Sequence, residues 1–327
     1  MNTLQKKMLL AALGLGALVA AAPASAYVMA ESSIELLNFQ ILGSDGQILD
    51  ATGANGATPT GDFATLTFTG TADMKVSLDS GGTQSNSANN PPTNPINFAP
   101  ICVGSGCNPL LPDDSFPHLA APPSGEYAAA DQYESGAPIA NFGFTSPATV
   151  GNMSAAALET SSDGASSDSN NNLNSSFIFT LNQDTGITFD FDIDAFLQVA
   201  MTGDEVFPAT ATSSYQLSFS IVNQQTQQTV FVWNIDVFGN GLNTISLNAP
   251  LFSGLDTEIA LNEAQTHFSR ATGTLTAGTP YQLSARINTN ADVFRQAVPE
   301  PATLGLLGIG LVALGASTIR RRKIDRV

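Results

Sequence analysis

Histidine is nearly missing from this 327-residue chain, which holds only His118 and His267. With two cysteines beside them, Cys102 and Cys107, the chain lacks the ligands for a zinc centre. No serine sits in a Gly-x-Ser-x-Gly elbow, and neither histidine has an evident partner for nucleophilic catalysis. Basic residues are scarce over the central region. Of eleven Lys and Arg, only Lys75, Arg270, Arg286 and Arg295 lie between residues 27 and 298. Of the 28 Asp and Glu, only Glu300 and Asp325 lie outside it, so four bases face 26 acids, a formal charge of −22. That balance excludes a nucleic-acid binder driven by phosphate contacts, which needs clustered Lys and Arg. It argues against docking on anionic lipid, and it favours solubility and the attraction of cations.

Long apolar runs occur only at the ends. Met1–Ala26 reads as a secretory signal peptide, with Lys6 and Lys7 as its positive region and Met8–Ala22 as its apolar region. Ala24-Ser25-Ala26 forms the small-residue cleavage site, with Ala24 and Ala26 at its two key positions. At the other end, Ala302–Ile319 carries no charge. Eighteen residues of helix reach about 27 Å, close to the roughly 30 Å of a bilayer's hydrocarbon core. Pro301 suits the first turn of that helix, where a missing N–H costs nothing. Arg320, Arg321, Arg322 and Lys323 then stop translocation and stay cytoplasmic, so residues 27–298 face outward.

The triplet Pro299-Glu300-Pro301, the short Gly/Leu-rich span and the terminal Arg cluster occur in that order. Together they resemble the PEP-CTERM sorting signal of Gram-negative bacteria, over about a tenth of the chain. The resemblance implies that Pro299, Glu300 and Pro301 are recognition residues for exosortase, a membrane enzyme that cuts near the triplet. The helix at 302–319 is then a temporary handle, and the route runs through an inner-membrane intermediate to the cell surface or extracellular space. The resemblance further implies a non-enzymatic matrix protein associated with exopolysaccharide or biofilm. Asp113-Asp114-Ser115-Phe116-Pro117 loosely resembles the Glu-Asp-Ser-Ala-Pro signature of an EDSAP-type subfamily.

Three regions follow: the signal peptide 1–26, a passenger domain 27–298 and the sorting tail 299–327. Within the passenger, Phe63–Thr69 and Met74–Leu78 read as a hairpin with its turn at Gly70-Thr71-Ala72-Asp73. Low-complexity loops are expected near 80–147 and at 154–176, where Gly, Ser, Asn, Asp and Pro dominate. Beyond them, Ser176–Leu181, Gly186–Met201, Ser214–Asn223, Thr229–Phe238, Asn243–Leu247, His267–Thr276 and Tyr281–Asn288 read as strands. Many short strands with turn clusters and no sustained helical period indicate a mainly β fold, an antiparallel, jelly-roll-like β-sandwich with long irregular loops. Cys102 and Cys107, in an oxidising compartment, suggest a disulfide closing a four-residue loop, contributing roughly 2 kcal/mol.

The strongest chemical constellation is Asp190, Asp192 and Asp194, which period two places on one face of a strand opposite Phe189, Phe191 and Ile193. Three carboxylates in a row suit Ca²⁺; the alternative is a solvated face above a buried one. The pairs Asp204-Glu205 and Asp256/Glu258 offer two carboxylates for glycoside hydrolysis, but no local signature selects them. Trp233, with Phe231, Phe238, Tyr215 and Phe219, suits either a sugar-stacking platform or the core, and its alternation with Phe231 and Ile235 favours the core. A carbohydrate- or calcium-binding adhesion module is therefore the alternative to a matrix protein, ahead of a secreted hydrolase.

Overall fold

Nearly every element among the described residues is a β-strand, and alternating apolar and polar residues build several of the longest. The computed structural model describes residues 27–50, 61–89, 97–107, 113–119, 121, 125–135, 148–159, 165–202, 208–249 and 257–296. Within them lie β1 (Tyr27–Leu42), β2 (Phe63–Leu78), β3 (Gly82–Asn89), β4 (Phe98–Val103), β5 (Tyr127–Ser135), β6 (Ala148–Leu158) and β7 (Ala165–Leu181). They continue with β8 (Thr188–Thr202), β9 (Ala209–Asn223), β10 (Gln228–Asn234), β11 (Thr244–Ala249), β12 (Thr257–Ala271) and β13 (Tyr281–Arg295). Every pairing among them is antiparallel. One sheet runs β12-β8-β1-β6-β5-β4 and the other β10-β9-β13-β7-β2-β3, with β11 beside the first half of β9. The sheets pack face to face as a sandwich. The helices expected at the two ends fall outside the described residues, among which no helix is long and apolar enough to cross a membrane.

Period two decides what β9, β13 and the first half of β8 bury, whereas β6 and the first half of β1 are buried on both faces. β8 turns Phe189, Phe191 and Ile193 inward and its three aspartates outward. One half of the interior is filled by rings: Phe39, Phe189, Phe191 and Phe219 have centroids 4.9 to 6.5 Å apart. Phe231 and Trp233 of β10 close its side. Trp233 is 8% exposed and belongs to this core. The other half is lined by Ala30, Ala128, Ala130 and Ala156, and small side chains let the sheets come close. There the polar inner residues bond straight across the sandwich. Ser169 Oγ donates to Ala129 O and Asn171 Nδ2 to Asp131 O, both at 2.6 Å, and Asn152 Nδ2 donates to Ile287 O at 3.0 Å.

Those cross-sheet bonds explain the largest departure from the expected loops. Residues 154–158 complete β6, and 165–176 begin β7, which pairs with β13 on one side and β2 on the other. A tract of Ser, Asn and Asp has little apolar area to bury, yet the donors of its inner members Ser169 and Asn171 are met by facing carbonyls. Similarly, Gly70–Asp73 is no turn; it runs straight through β2 because β7 pairs along that strand's whole length. The expected loop near 80–147 holds β3, β4 and β5.

Candidate functional site

Two bulges shape the outer face of the first sheet. Against β8, β1 is irregular between Leu37 and Gln40, with Asn38 at φ 56°, and β12 between Glu263 and Thr266, with Gln265 at φ 48°. Both flank β8, and a bulge re-aims the side chains beside it. Asn38 Nδ2 thereby donates to Asp192 Oδ2 at 3.2 Å. His267 lies inside β12, opposite Asp192, where a strand start without a partner was expected. Its Nδ1 is 3.1 Å from Asp192 Oδ1 and its Nε2 3.5 Å from Asp190 Oδ2. Hydrogen bonds from Asn38 and then His267 hold the Asp192 carboxyl below its ordinary pKa. Asp194 faces Glu35 of β1 instead, and burial, reinforced by Asp194, pushes the Glu35 carboxyl up. The three aspartates are thus shared among different partners along the strand.

A second acidic group is one the sequence reading did not single out. Asp113, Asp114 and Asp131 bring one carboxylate oxygen each within 4.8 Å of one another, the one such set of metal-ligand side chains among the described residues. Asp131 Oδ2 accepts from Asp114 N at 3.1 Å and Oδ1 from Gln132 N at 2.9 Å. Burial pushes its carboxyl up to about 7. The segment 113–119 lies over the outer faces of β1, β5 and β6. Phe116 packs against Tyr133, His118 stacks on Phe196 at 3.9 Å, and Leu119 N donates to Glu31 Oε2 at 2.9 Å. Beneath it is a second core of Met29, Tyr127, Met153 and Ala155, edged by the Cys102–Cys107 disulfide. The Asp-Asp-Ser-Phe-Pro stretch, which in sequence only loosely resembles an EDSAP signature, packs here as a cover over this layer.

The outer face of the second sheet has a different chemistry. Across β9, β13, β7 and β2 the register sets Ser218, Arg286, Asn174 and Thr71 in one row, and Gln216, Asn288, Asn172 and Asp73 in the next. Ser220, Ser284 and Ser176 form a third. A groove of about 590 Å³ runs over these rows, continued by one of about 380 Å³ that shares Gln216. Its side chains are tied together: Gln282 Nε2 donates to Ser176 Oγ at 2.7 Å, and Arg286 Nε to Asn174 Oδ1 at 3.1 Å.

Of the carboxylates considered for glycoside hydrolysis, Glu258 accepts from Gln198 Nε2 at 2.7 Å, while Asp204, Glu205 and Asp256 lie outside the described residues. Ala24, Ala26, Pro299, Glu300, Pro301 and Arg320–Lys323 also lie outside them.

Among the described residues, fold and surfaces define a β-sandwich module whose second sheet has a polar outer face and whose first sheet is partly covered by residues 113–119. The address it carries is specific: residues 297–322 match the model of the PEP-CTERM protein-sorting motif. That motif marks an exported protein recognised by exosortase and sent through the membrane toward the cell surface or extracellular space. No curated protein matches the chain. Among solved structures it is similar to the infectious bursal disease virus VP2 subviral particle, at 13% identity, covering 86% of this chain and 81% of that one. It is similar too to the Gx strain structure of that virus, at 15% identity, with 87% and 68% covered. Both have a TM-score of 0.08, which carries no argument about the fold.

Proposed function

We propose that the protein is a non-enzymatic component of the cell surface or extracellular matrix, associated with exopolysaccharide. The observation that carries this reading is the sorting motif at 297–322, attached to a sandwich whose outer faces present side chains to solvent. In fractionated cells, the wild-type body is expected in surface and matrix fractions without its tail. Glu300→Ala is expected to hold the full-length chain in the inner membrane. Wild type recovered intact in that membrane would overturn the processing step, and body protein that does not co-sediment with the isolated polysaccharide matrix would overturn the association.

Calcium binding is the second reading, favoured by the convergence of Asp113, Asp114 and Asp131. It predicts a calcium-dependent rise in melting temperature that Asp131→Asn removes. The row Asp190, Asp192 and Asp194 is tested by the same titration on a triple Asn variant, and no shift in any form would remove the ion.

A further inference from the structure

Arg286 stands apart among the four basic residues of the passenger. Arg270 lies over the rings of Phe231 and Trp233, 5.7 Å from each centroid. Arg295 is buried and donates from Nη1 to Glu159 O, and Lys75 is exposed toward the far end of β2. Arg286 is exposed in the middle of the second sheet's groove. Its Nε is held by the neutral amide of Asn174, and no carboxylate lies within ion-pair distance of it among the described residues. In a body with 26 acids, a cation left without an acid and oriented by an amide is poised for an anion from outside. A guanidinium fork pairs bidentately with a carboxylate, the anionic group that acidic sugars carry.

The groove around Arg286 offers hydroxyls and amides, from Ser218, Ser284, Asn174 and Gln216, with no ring for stacking. Such groups both donate and accept, which suits a ligand covered in hydroxyls. Asn288, which lines the second groove, has a buried Oδ1 without a hydrogen-bond partner. Neighbouring strands lie about 4.8 Å apart, so the four strands present an array roughly 14 Å wide. Each exchange of water for a ligand hydroxyl gains little, so useful affinity needs many repeats along one chain.

We infer that this groove binds a uronate-bearing polysaccharide, with Arg286 pairing with a sugar carboxylate and the surrounding amides and hydroxyls engaging the sugar hydroxyls. The assignment rests on the proposed polysaccharide association and names the chemistry recognised. The negative body confines favourable contact with a polyanion to the neighbourhood of Arg286, so binding is expected to be weak per repeat and specific in position.

The test uses full-length protein in detergent, with EDTA present to remove bridging cations. Polygalacturonate is the probe, and its carboxyl-reduced, neutral form is the control. Wild type is expected to bind polygalacturonate at least tenfold more tightly than the reduced polymer. Arg286→Gln should abolish that preference at unchanged melting temperature, and Ser284→Tyr, which fills the groove, should weaken binding to both polymers. Equal binding of both polymers by wild type and Arg286→Gln would overturn the carboxylate assignment in favour of a neutral glycan. If wild type binds neither polymer yet co-sediments with the cells' own matrix, the groove assignment fails while the proposed function stands. Failure of co-sedimentation as well removes both.

Discussion

Glu31 points from the outer face of β1 into the layer covered by residues 113–119, and none of its surface reaches solvent. Burial pushes its carboxyl from the ordinary 4.5 up to about 8, against the opposing hydrogen bond from Leu119 N. Below 4.5 the folded and unfolded chains both hold the proton. As pH rises from there to about 8, only the unfolded chain releases it, so stability falls across that window. Asp131, raised from 3.8 to about 7 by burial, adds a loss over a lower window. Chemical denaturation followed from pH 4.5 to 8 should therefore show decreasing stability, by a few kcal/mol in total. Glu31→Gln keeps an acceptor for Leu119 N and should flatten the decline; an unchanged slope would show that Glu31 is hydrated and ionised. Steric detail at this layer is equally testable. A Cβ on Gly151 would meet Phe116 Cε2 at 2.1 Å, so Gly151→Ala should displace the cover and cost about 1–3 kcal/mol, read from the denaturation midpoint.

Edge strands set the vulnerabilities at the next scale. β10 and β12 form one side of the sandwich, where Val230 and Val232 are exposed and Ile259 is partly so. An open edge with apolar residues invites pairing with another chain, and a charge placed across it is a common defence. Arg270 serves both purposes, covering Phe231 and Trp233 while keeping a cation at the edge. Arg270→Ala should lose about 1 kcal/mol and raise light scattering on concentration, and Arg270→Lys should restore part of both. Element by element, legibility followed side-chain contrast. β8, β9 and β13 alternate Phe, Ile, Leu or Val with Asp, Ser or Asn, and their strand character could be read directly. The first half of β7 could not, because Ser169 and Asn171 are inner residues only by virtue of carbonyls on β5. β12 was read only from His267 onward, since its first ten residues bury little apolar surface.

At the scale of the whole sandwich, its first and last described residues, Tyr27 and Gln296, lie at one pole. Tyr27 pairs with Thr202, Val28 with Leu158, and Arg295 with Ala165 and Ala209. Gln296 N donates to Pro208 O at 3.1 Å at that same pole. Pro299 follows three residues on, within roughly 11 Å along even a fully extended chain. A sandwich held by an uncut tail would stand with this pole at the membrane, the Asp79-Ser80 turn close to it and the Gln225-Thr226 hairpin at the far end. In spheroplasts carrying Glu300→Ala, an epitope inserted after Thr226 should be labelled by antibody, and one inserted after Asp79 should be shielded. Equal labelling of both would show that the body does not stand on this pole.

Composition and motif alone settled the address: a Pro-Glu-Pro triplet, an apolar span and a basic cluster are local features, readable in order without any fold. The mainly β character was equally local, since period-two alternation is written into each strand. What the surfaces could do was decided only by tertiary structure. His267 meets Asp192, 75 residues away in sequence, and Asp190 beside it across a strand pair, aimed by bulges that no composition signals. Asp131 meets Asp114 because a proline-rich segment folds back over the sheet. Arg286, with no carboxylate partner among the described residues, lies among amides and hydroxyls because strand register, a long-range property, places Ser218 and Asn174 on either side of it.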